Sequence, residues 1–322
     1  MAVIELLVPG LAASLAGNTV TATRYHSIFT ELGHDVRTTP APTDEAEVVV
    51  ALNAYRSAAG IAQVAPQVPV IVVLTGTDVY RFLAEHPDEV TASLDRADHL
   101  VGLNDRIGDA VESHHQPKLT VIKEGATRPT SSPTADPVDP VDPAVFEVAV
   151  VGHLRDEKDP KVVVEALRLL PDASPVQVRH YGEAHNEQWA DWATAESASS
   201  PRYQWCHQVP RNKIDEVYGA SRLLVNSSIM EGGANVLSEA IMAGLAVLAS
   251  DIAGNVGVLG EHYPGYFPVG DAPALATALN ELATSSDRLA HLGDAITTLQ
   301  PAFTVEVERE GWDHLFSRLG LA

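Results

Sequence analysis

The most informative segment of this sequence is Asn226-Ser-Ser-Ile-Met-Glu231-Gly-Gly-Ala-Asn-Val-Leu-Ser-Glu239-Ala-Ile-Met-Ala-Gly244-Leu-Ala-Val-Leu-Ala-Ser250. Its pattern predicts a strand ending at Asn226, a loop with two glycines, a helix over about residues 234 to 243 and a second strand from Leu245 to Ser250. A helix that begins after such a loop presents unpaired backbone N–H groups to an anion. The stretch therefore predicts a β-α-β unit with an anion site at its centre.

Two glutamates flank that anion site. Glu231 lies in the loop and Glu239 eight positions later, inside the helix. A carboxylate before the first helical turn would repel the anion, so Glu231 is better placed to accept hydrogen bonds from hydroxyl groups beside a phosphate. Glu239 is placed to do the same for a ribose. Phosphate, sugar hydroxyl and ribose together describe a nucleotide-sugar. The alternative interpretation is an ordinary β-α-β unit with a capping carboxylate.

The segment resembles the Glu-x7-Glu motif of the retaining GT-B glycosyltransferases of family 4. This resemblance implies that Glu231 contacts the hydroxyl groups of the donor sugar and that Glu239 contacts the ribose. The remaining donor contacts that it implies are Gly232, Gly233, Ala234, Asn235 and Val236. Members of the family often carry an aromatic residue where this chain has Gly232, which indicates an unusual donor or acceptor pocket.

Length and composition narrow the class of protein. A chain of 322 residues is long enough for two domains, and no run approaches the roughly 20 apolar residues that cross a bilayer. A net charge of −22 argues against nucleic acid and anionic membranes as partners, since both require a basic surface. The N-terminus lacks a basic leader, and the single cysteine, Cys206, cannot form an internal disulfide. We therefore expect a cytoplasmic protein.

Short apolar strands alternate with helical patterns along the chain, which is typical of an α/β fold with parallel sheets. One expected helix covers Asp105–Ser113. Five prolines in the sixteen residues from Arg128 to Pro143 predict a linker. We expect the GT-B plan, two doubly wound Rossmann-like domains with a ligand cleft between them. The predicted parts are an acceptor-binding domain (residues 1–127), a Pro-rich linker (128–145), a nucleotide-sugar-binding domain (146–301) and a C-terminal helix crossing back to the first domain (302–322).

A second motif, Gly152-His-Leu-Arg155-Asp-Glu-Lys158, joins a strand to a helix and carries two cations. It resembles the Gly-Arg-Leu-x-x-x-Lys element of the same family, in which the cations grip the donor diphosphate. Lys158 matches the family's lysine, whereas His153 occupies the place of its arginine and Arg155 lies two residues further on. The resemblance implies that Arg155 and Lys158 are catalytic together with Glu231, because preorganised positive charge stabilises the leaving group. Gly152 and His153 are then donor contacts. A solvated charge cluster that opens a helix is the alternative.

Three loops in the first half bring arginines to the ends of predicted strands. In a protein with a net charge of −22, such arginines indicate an anionic ligand, and helix N-termini add partial positive charge. Capping of the helices is the alternative for each loop. The expected acceptor contacts are Gly17, Asn18, Arg24, Arg56, Thr75, Gly76, Thr77, Asp78 and Arg81.

Taken together, these motifs resemble those of the selenosugar synthases of selenoneine biosynthesis. The resemblance spans nearly the whole chain outside the linker. The segments that carry this resemblance are Gly17–Arg24, Leu74–Arg81, Gly152–Pro160 and Glu231–Ala240. The resemblance implies transfer of a sugar from UDP-GlcNAc or UDP-glucose to the selenium of selenophosphate, followed by loss of phosphate. That family has a His-Ala-Arg-Arg-Ser loop where this chain has Asn53-Ala-Tyr-Arg-Ser57, so acceptor contacts differ there.

No metal and no cofactor are expected. Three histidines, His180, His185 and His207, lack the i, i+4 partner or the cysteine typical of zinc sites, and His114-His115 are expected at the surface. Two alternatives stay open: a transferase of the same fold with a hydroxyl acceptor, and a nucleotide-sugar-binding protein without turnover. A homodimer is the candidate assembly. The sequence decides neither the sugar nor the anomeric outcome.

Overall fold

The structure, a computed structural model, describes residues 1–8, 17–129 and 144–321, with the backbone alone at Gly17 and Asn18. Most of the predicted linker falls on residues 130–143 and so lies outside the described residues. The chain divides into two compact units. The first consists of Met1–Glu124, Glu231–Asn235 and Val305–Ala322, and the second of Gly125–Met230 and Val236–Thr304.

Each unit is built on a sheet of six parallel strands. The first sheet has the order β2-β1-β3-β4-β5-β6, with β1 (Val3–Leu7), β2 (Asp35–Thr39), β3 (Val48–Leu52), β4 (Val70–Leu74), β5 (His99–Gly102) and β6 (Leu119–Val121). The second has the order β12-β11-β10-β7-β8-β9, with β7 (Phe146–Val151), β8 (Val176–Tyr181), β9 (Tyr203–Trp205), β10 (Leu223–Asn226), β11 (Val247–Ser250) and β12 (Tyr266–Phe267). The predicted α/β fold with parallel sheets is confirmed.

The central strands are apolar along their whole length because helices cover both faces of the sheet. Every residue of β3 and of β4 is buried. The helices are α1 (Gly17–Glu31), α2 (Ala58–Ile61), α3 (Leu83–Glu85), α4 (Pro87–Arg96), α5 (Pro160–Leu169), α6 (Glu187–Ser199), α7 (Ile214–Ala220), α8 (Asn235–Ala243), α9 (Ala253–Leu259), α10 (Ala272–Thr284), α11 (Ser286–Leu299) and α12 (Val305–Arg318). Among the described residues, no helix is long and apolar enough to cross a bilayer.

The helix expected over Asp105–Ser113 is wrong. That segment contains only a single 3-10 turn, Ile107–Ala110, because Val111 takes an extended backbone and ends it. The first helical element after β4 is also irregular, with a π-helical turn over Asp78–Phe82 before α3.

The last helix completes the core of the first unit. The Trp312 ring of α12 lies 4.8 Å from the ring of Tyr25 and 4.7 Å from that of Phe29, measured between centroids, and both partners belong to α1. All three side chains are fully buried. Edge-to-face contacts of this kind stabilise a core beyond the apolar area that they remove from water.

Candidate functional site

In the second unit, the predicted cations follow the carboxyl end of β7. A methyl group built on Gly152 would lie 3.6 Å from Lys158 Cδ, so the stem of the lysine runs beside the end of the strand. Arg155 is about one-third exposed, and its buried Nε has no hydrogen-bond partner among the described residues. A Glu157 oxygen lies 3.9 Å from that nitrogen, beyond hydrogen-bond distance. Arg155 thus forms a long ion pair with Glu157, and the hydrogen-bonding capacity of its Nε is unfilled among the described residues.

The loop after β10 packs on this same element, since β7 and β10 are neighbours in the sheet. The Ser227 hydroxyl donates to the carbonyl of Lys158 at 2.8 Å, and the backbone N–H of Ile229 donates to the carbonyl of Glu157 at 3.0 Å. Two segments singled out separately in the sequence are thus held together by hydrogen bonds within the second unit.

Two histidines shape the loop after β7. His153 Nδ1 accepts the backbone N–H of Glu183 at 3.1 Å, so one ring nitrogen of this predicted donor contact is occupied by the protein. His180 in β8 is fully buried, with Nε2 3.0 Å from the carbonyl oxygen of Gly152 and Nδ1 3.0 Å from the hydroxyl of Tyr203. Burial lowers the pKa of His180 to about 4, because the interior disfavours the charged imidazolium.

Stability should therefore fall in acid through His180. The unfolded imidazole takes up a proton below pH 6.5, whereas the folded one does so only near pH 4, so stability is lost as pH falls between these values. At pH 5 the expected loss is about 2 kcal/mol, from 1.36 kcal/mol per pH unit. Urea unfolding of the wild type and of His180→Gln at pH 7 and pH 5 measures it. Equal losses in the two proteins would contradict this assignment, since carboxylates titrate in both.

Glu239 of α8 is held by two residues that the sequence analysis did not single out. Its Oε2 accepts the Tyr218 hydroxyl at 2.6 Å, and its Oε1 forms an ion pair with Arg211, which is 61% exposed. Burial raises the pKa of the Tyr218 phenol well above its ordinary value, and the charge of Glu239 adds to the rise. The sequence did contain a signal for Arg211, since it is an arginine directly before a helix in a strongly acidic chain. Arg211 thus places a cation beside the predicted ribose contact.

In the first unit, the loops after β3 and β4 are tied together by Asn53 and Asp78. The Asn53 amide donates to the hydroxyls of Thr75 and Thr77 at 2.8 and 3.0 Å. Asp78 is fully buried and accepts the backbone N–H groups of Ala54 and Thr75, each at 3.1 Å. Burial raises the pKa of Asp78, and these N–H donors oppose the rise. Asp78 thus orders both loops, while its predicted contact with the acceptor stays a prediction.

The three predicted acceptor arginines differ in their surroundings. Arg81 forms an ion pair with Glu85, with Nε 3.0 Å from Oε1. Arg56 is exposed, and its guanidinium lies 5.8 Å from the centre of the Phe82 ring. No carboxylate pairs with Arg56 within the described part of the chain. Of the three, Arg56 is the one whose charge is left for a ligand.

Arg24 in α1 is instead the centre of a buried polar cluster. Its guanidinium forms ion pairs with Glu124 and with Glu308, the latter at 3.1 Å, and both carboxylates are almost completely buried. It also donates to the Asn235 side chain at 2.7 Å. Thr21 adds a hydroxyl bond to Glu124 at 2.7 Å. Arg24 therefore positions Asn235, and its predicted contact with the acceptor remains a prediction.

The segment Glu231–Asn235, which belongs to the first unit, is fixed by close backbone packing. A Cβ on Gly76 would lie 2.6 Å from the Cα of Gly232, and one on Gly232 would lie 2.8 Å from the backbone nitrogen of Gly76. Real Cβ atoms essentially never approach other atoms so closely. The Asn104 amide, beyond the end of β5, donates to the Gly232 carbonyl at 2.7 Å. Glycine at both positions is thus a packing requirement.

The rest of this segment is equally constrained. A Cβ on Gly233 would lie 2.6 Å from Glu124 Oε2, so Gly233 is confined as well. Ala234 has φ +47°, a left-handed backbone that costs a non-glycine residue on the order of 1 kcal/mol. Glu231 is 9% exposed. Strain of this kind clusters at functional loops. Of the remaining predicted residues, Val236 is half-buried in α8. Gly17 and Asn18 begin α1, and only their backbone is described, so their predicted contacts stay predictions.

Solved structures share this fold over nearly the whole chain. They include sucrose-phosphate synthase from Thermosynechococcus elongatus, with a TM-score of 0.81, 15% identity and 99% of both chains covered. HepE from Anabaena in complex with UDP and glucose has a TM-score of 0.77 and 14% identity, covering 99% of this chain and 100% of its own. A glycosyltransferase from Rickettsia africae has a TM-score of 0.74 and 14% identity, covering 98% of each chain. These likenesses confirm the predicted GT-B fold.

No curated protein sequence matches this chain. A family model does match it. Residues 138–298, half of the 322 residues, fit the model for glycosyl transferases group 1, and they span the predicted cations after β7 and the two glutamates around α8. The chain therefore belongs to the group 1 family of glycosyltransferases.

Proposed function

We propose that this chain transfers a sugar from UDP-glucose or UDP-GlcNAc to selenophosphate and forms a selenium–carbon bond. The donor assignment is supported by the structural likeness to HepE, which was solved with UDP and glucose. It is supported further by the loop after β7, where the Nε of Arg155 has no hydrogen-bond partner among the described residues. Lys158 and Arg155 would stabilise the diphosphate as the bond from the sugar carbon to the phosphate oxygen breaks.

One observation carries the acceptor assignment. Arg56 is an exposed arginine without a carboxylate partner among the described residues, and it lies in the loop whose Asn53 binds Thr75 and Thr77. In a protein with a net charge of −22, a cation without a carboxylate partner, on a loop that is hydrogen-bonded to the Thr75 and Thr77 hydroxyls, favours an anionic ligand. A phosphoryl group has the charge and the acceptor oxygens that this arrangement can bind.

The chemistry needs no strong base. The selenium of selenophosphate is already anionic and attacks the anomeric carbon, while UDP leaves with the bonding electrons. Water then cleaves the selenium–phosphorus bond, which releases phosphate and leaves the selenosugar. Catalysis consists of positioning and leaving-group stabilisation. We propose retention of configuration, as in the family that the Glu231 motif resembles.

The direct test is to incubate the protein with each UDP-sugar and selenophosphate and to identify the products by mass spectrometry. A selenium-containing hexose with equimolar UDP supports the proposal, and proton NMR of the sugar reports its anomeric configuration. UDP released only when a hydroxyl acceptor is supplied would assign the rival transferase. Tight UDP binding without any release would assign a binding protein.

Arg56→Ala should raise the acceptor KM at least about tenfold, because a charge-assisted hydrogen bond to phosphate contributes roughly 1.5–3 kcal/mol. UDP affinity measured by calorimetry should stay unchanged, since the predicted donor contacts are other residues. The matched control is Arg37→Ala, an exposed arginine of β2 that already pairs with Asp35 and Glu45.

The reverse result would contradict the assignment of Arg56 to the acceptor. If Arg56→Ala weakened UDP binding and left the acceptor KM unchanged, Arg56 would belong to the donor site. Inorganic phosphate or thiophosphate should also compete with the acceptor. No inhibition by either at millimolar concentrations would favour a hydroxyl acceptor.

A further inference from the structure

We infer that the first unit binds one Zn²⁺ ion through Asp95, His114 and His115. Asp95 lies in the last turn of α4, and the two histidines lie in the turn before β6. One ligand atom from each of the three residues lies within 4.8 Å of the other two. The inference is independent of the proposed function and differs from the sequence-based expectation, which included no metal.

The spacing of these atoms suits a small divalent cation. His115 Nε2 is 2.8 Å and His114 Nε2 is 3.6 Å from the same Asp95 oxygen, Oδ1. Ligand atoms around a tetrahedral Zn²⁺ are about 3.3 Å apart, given metal–ligand bonds of roughly 2.0–2.2 Å. A zinc ion would therefore require shifts of only a few tenths of an ångström to about 1.5 Å. It would replace the hydrogen bond between Asp95 and His115, and water would fill the fourth position.

A carboxylate behind the site points to the same ligand. Glu112 Oε2 lies 3.4 Å from His114 Nδ1, on the far side of the ring from Asp95. Histidines that bind zinc usually donate their other ring N–H to a carboxylate, which leaves the second nitrogen with its lone pair toward the metal. Two imidazoles and a carboxylate suit Zn²⁺ and similar first-row metals, whereas Mg²⁺ and Ca²⁺ prefer oxygen ligands.

The surroundings combine rigidity with access. The expectation of a surface position is wrong for His115, whose side chain is 1% exposed, whereas those of His114 and Asp95 are more than half exposed. One ligand is therefore fixed by packing, and the other two face solvent. The C-terminal end of a helix favours a cation. Lys118 occupies part of that end, with Nζ 2.8 Å from the Leu94 carbonyl and 2.9 Å from that of Ala97. The positive charge of Lys118 disfavours a second cation at this position, whereas the net charge of −22 on the whole protein favours one.

The position in the sheet indicates a structural ion. Asp95 precedes β5, which begins at His99, and His115 precedes β6, which begins at Leu119. In a parallel sheet these strand beginnings share one edge, and the loops after β3 and β4 leave from the opposite edge. Zinc would clamp α4 to the turn before β6 without reaching Arg56 or Thr75.

The test is calorimetric titration of the untagged, EDTA-treated full chain with Zn²⁺ and, separately, with Mg²⁺. We expect one Zn²⁺ per chain, a higher melting temperature with Zn²⁺ and no binding of Mg²⁺. Asp95→Asn and His114→Gln should each weaken zinc binding at least about tenfold, as should loss of the outer carboxylate in Glu112→Gln. The control His26→Gln, an exposed histidine of α1, should bind as the wild type does.

Failure of the wild type to bind Zn²⁺ at 100 µM, or equal binding by Asp95→Asn and His114→Gln, overturns the site. These two side chains are exposed, so both variants should fold, and far-ultraviolet circular dichroism checks that they do. Sugar transfer by the EDTA-treated protein should match that of the zinc-loaded protein. Transfer that requires zinc would overturn the structural role, whereas absent transfer in both samples would count against the proposed function alone.

Discussion

Gly232→Ala should lower the rate of sugar transfer about 100-fold, the cost of misplacing catalytic groups by about 1 Å. The added methyl group would lie 2.8 Å from the Gly76 nitrogen and closer still to the Thr75 carbonyl oxygen. All these atoms are backbone, so no side chain can rotate away, and the segment Glu231–Asn235 must shift. We also expect the free energy of unfolding to fall by about 1–3 kcal/mol, as for other overpacked sites.

The control is Gly293→Ala, in the middle of α11, where an added Cβ meets nothing within 4 Å. It should leave transfer unchanged and stabilise the helix by up to about 1 kcal/mol. Steady-state kinetics and urea unfolding of both variants give the two numbers. If Gly232→Ala kept more than a tenth of the wild-type rate, the close approach of the two loops would not be needed for turnover.

Lys158→Ala and Arg155→Ala should each reduce turnover at least about tenfold. Charge-assisted hydrogen bonds to phosphate contribute roughly 1.5–3 kcal/mol, and 1.4 kcal/mol corresponds to one factor of ten in rate. The loss should fall on kcat, because the charge on the diphosphate grows as the sugar–phosphate bond breaks. Release of UDP in a coupled assay measures it.

Lys161→Ala provides the matched control. Lys161 lies three residues after Lys158, is exposed, and has its Nζ 4.9 Å from the centre of the Trp189 ring. This variant should transfer sugar within about twofold of the wild-type rate. Near-native turnover in both Lys158→Ala and Arg155→Ala would remove these residues from the site.

The fold was predictable because its signals are local. Buried runs such as Val48–Leu52 and Val70–Leu74 are apolar throughout, and each is bounded by turn residues. Parallel sheets follow from the alternation with helices. The segment Asp105–Ser113 misled because its composition tolerates a helix, and only the extended backbone at Val111 shows that the turn ends early.

The site was predictable only in part, because many of its contacts are not local in the sequence. Gly76 and Gly232 stood out as loop glycines, but the contact that requires them joins residues far apart in the sequence. The same separation hid Asn104, which binds the Gly232 carbonyl, and Glu308, which binds Arg24. A sequence places an arginine at a strand end. It does not show whether a distant carboxylate already neutralises that arginine. This is the difference between Arg24, which is paired with Glu124 and Glu308, and Arg56.

The packing of α12 on α1 has a consequence for the order of events during synthesis. Tyr25 and Phe29 are translated long before their partner Trp312, and Arg24 long before Glu308. Until then, the aromatic face of α1 has no cover from α12, and Arg24 lacks one of its two carboxylates. Because the first unit includes Val305–Ala322, which follow the second unit in the chain, its core closes only after the second unit has been translated. Apolar surface that stays exposed this long favours aggregation of the nascent chain.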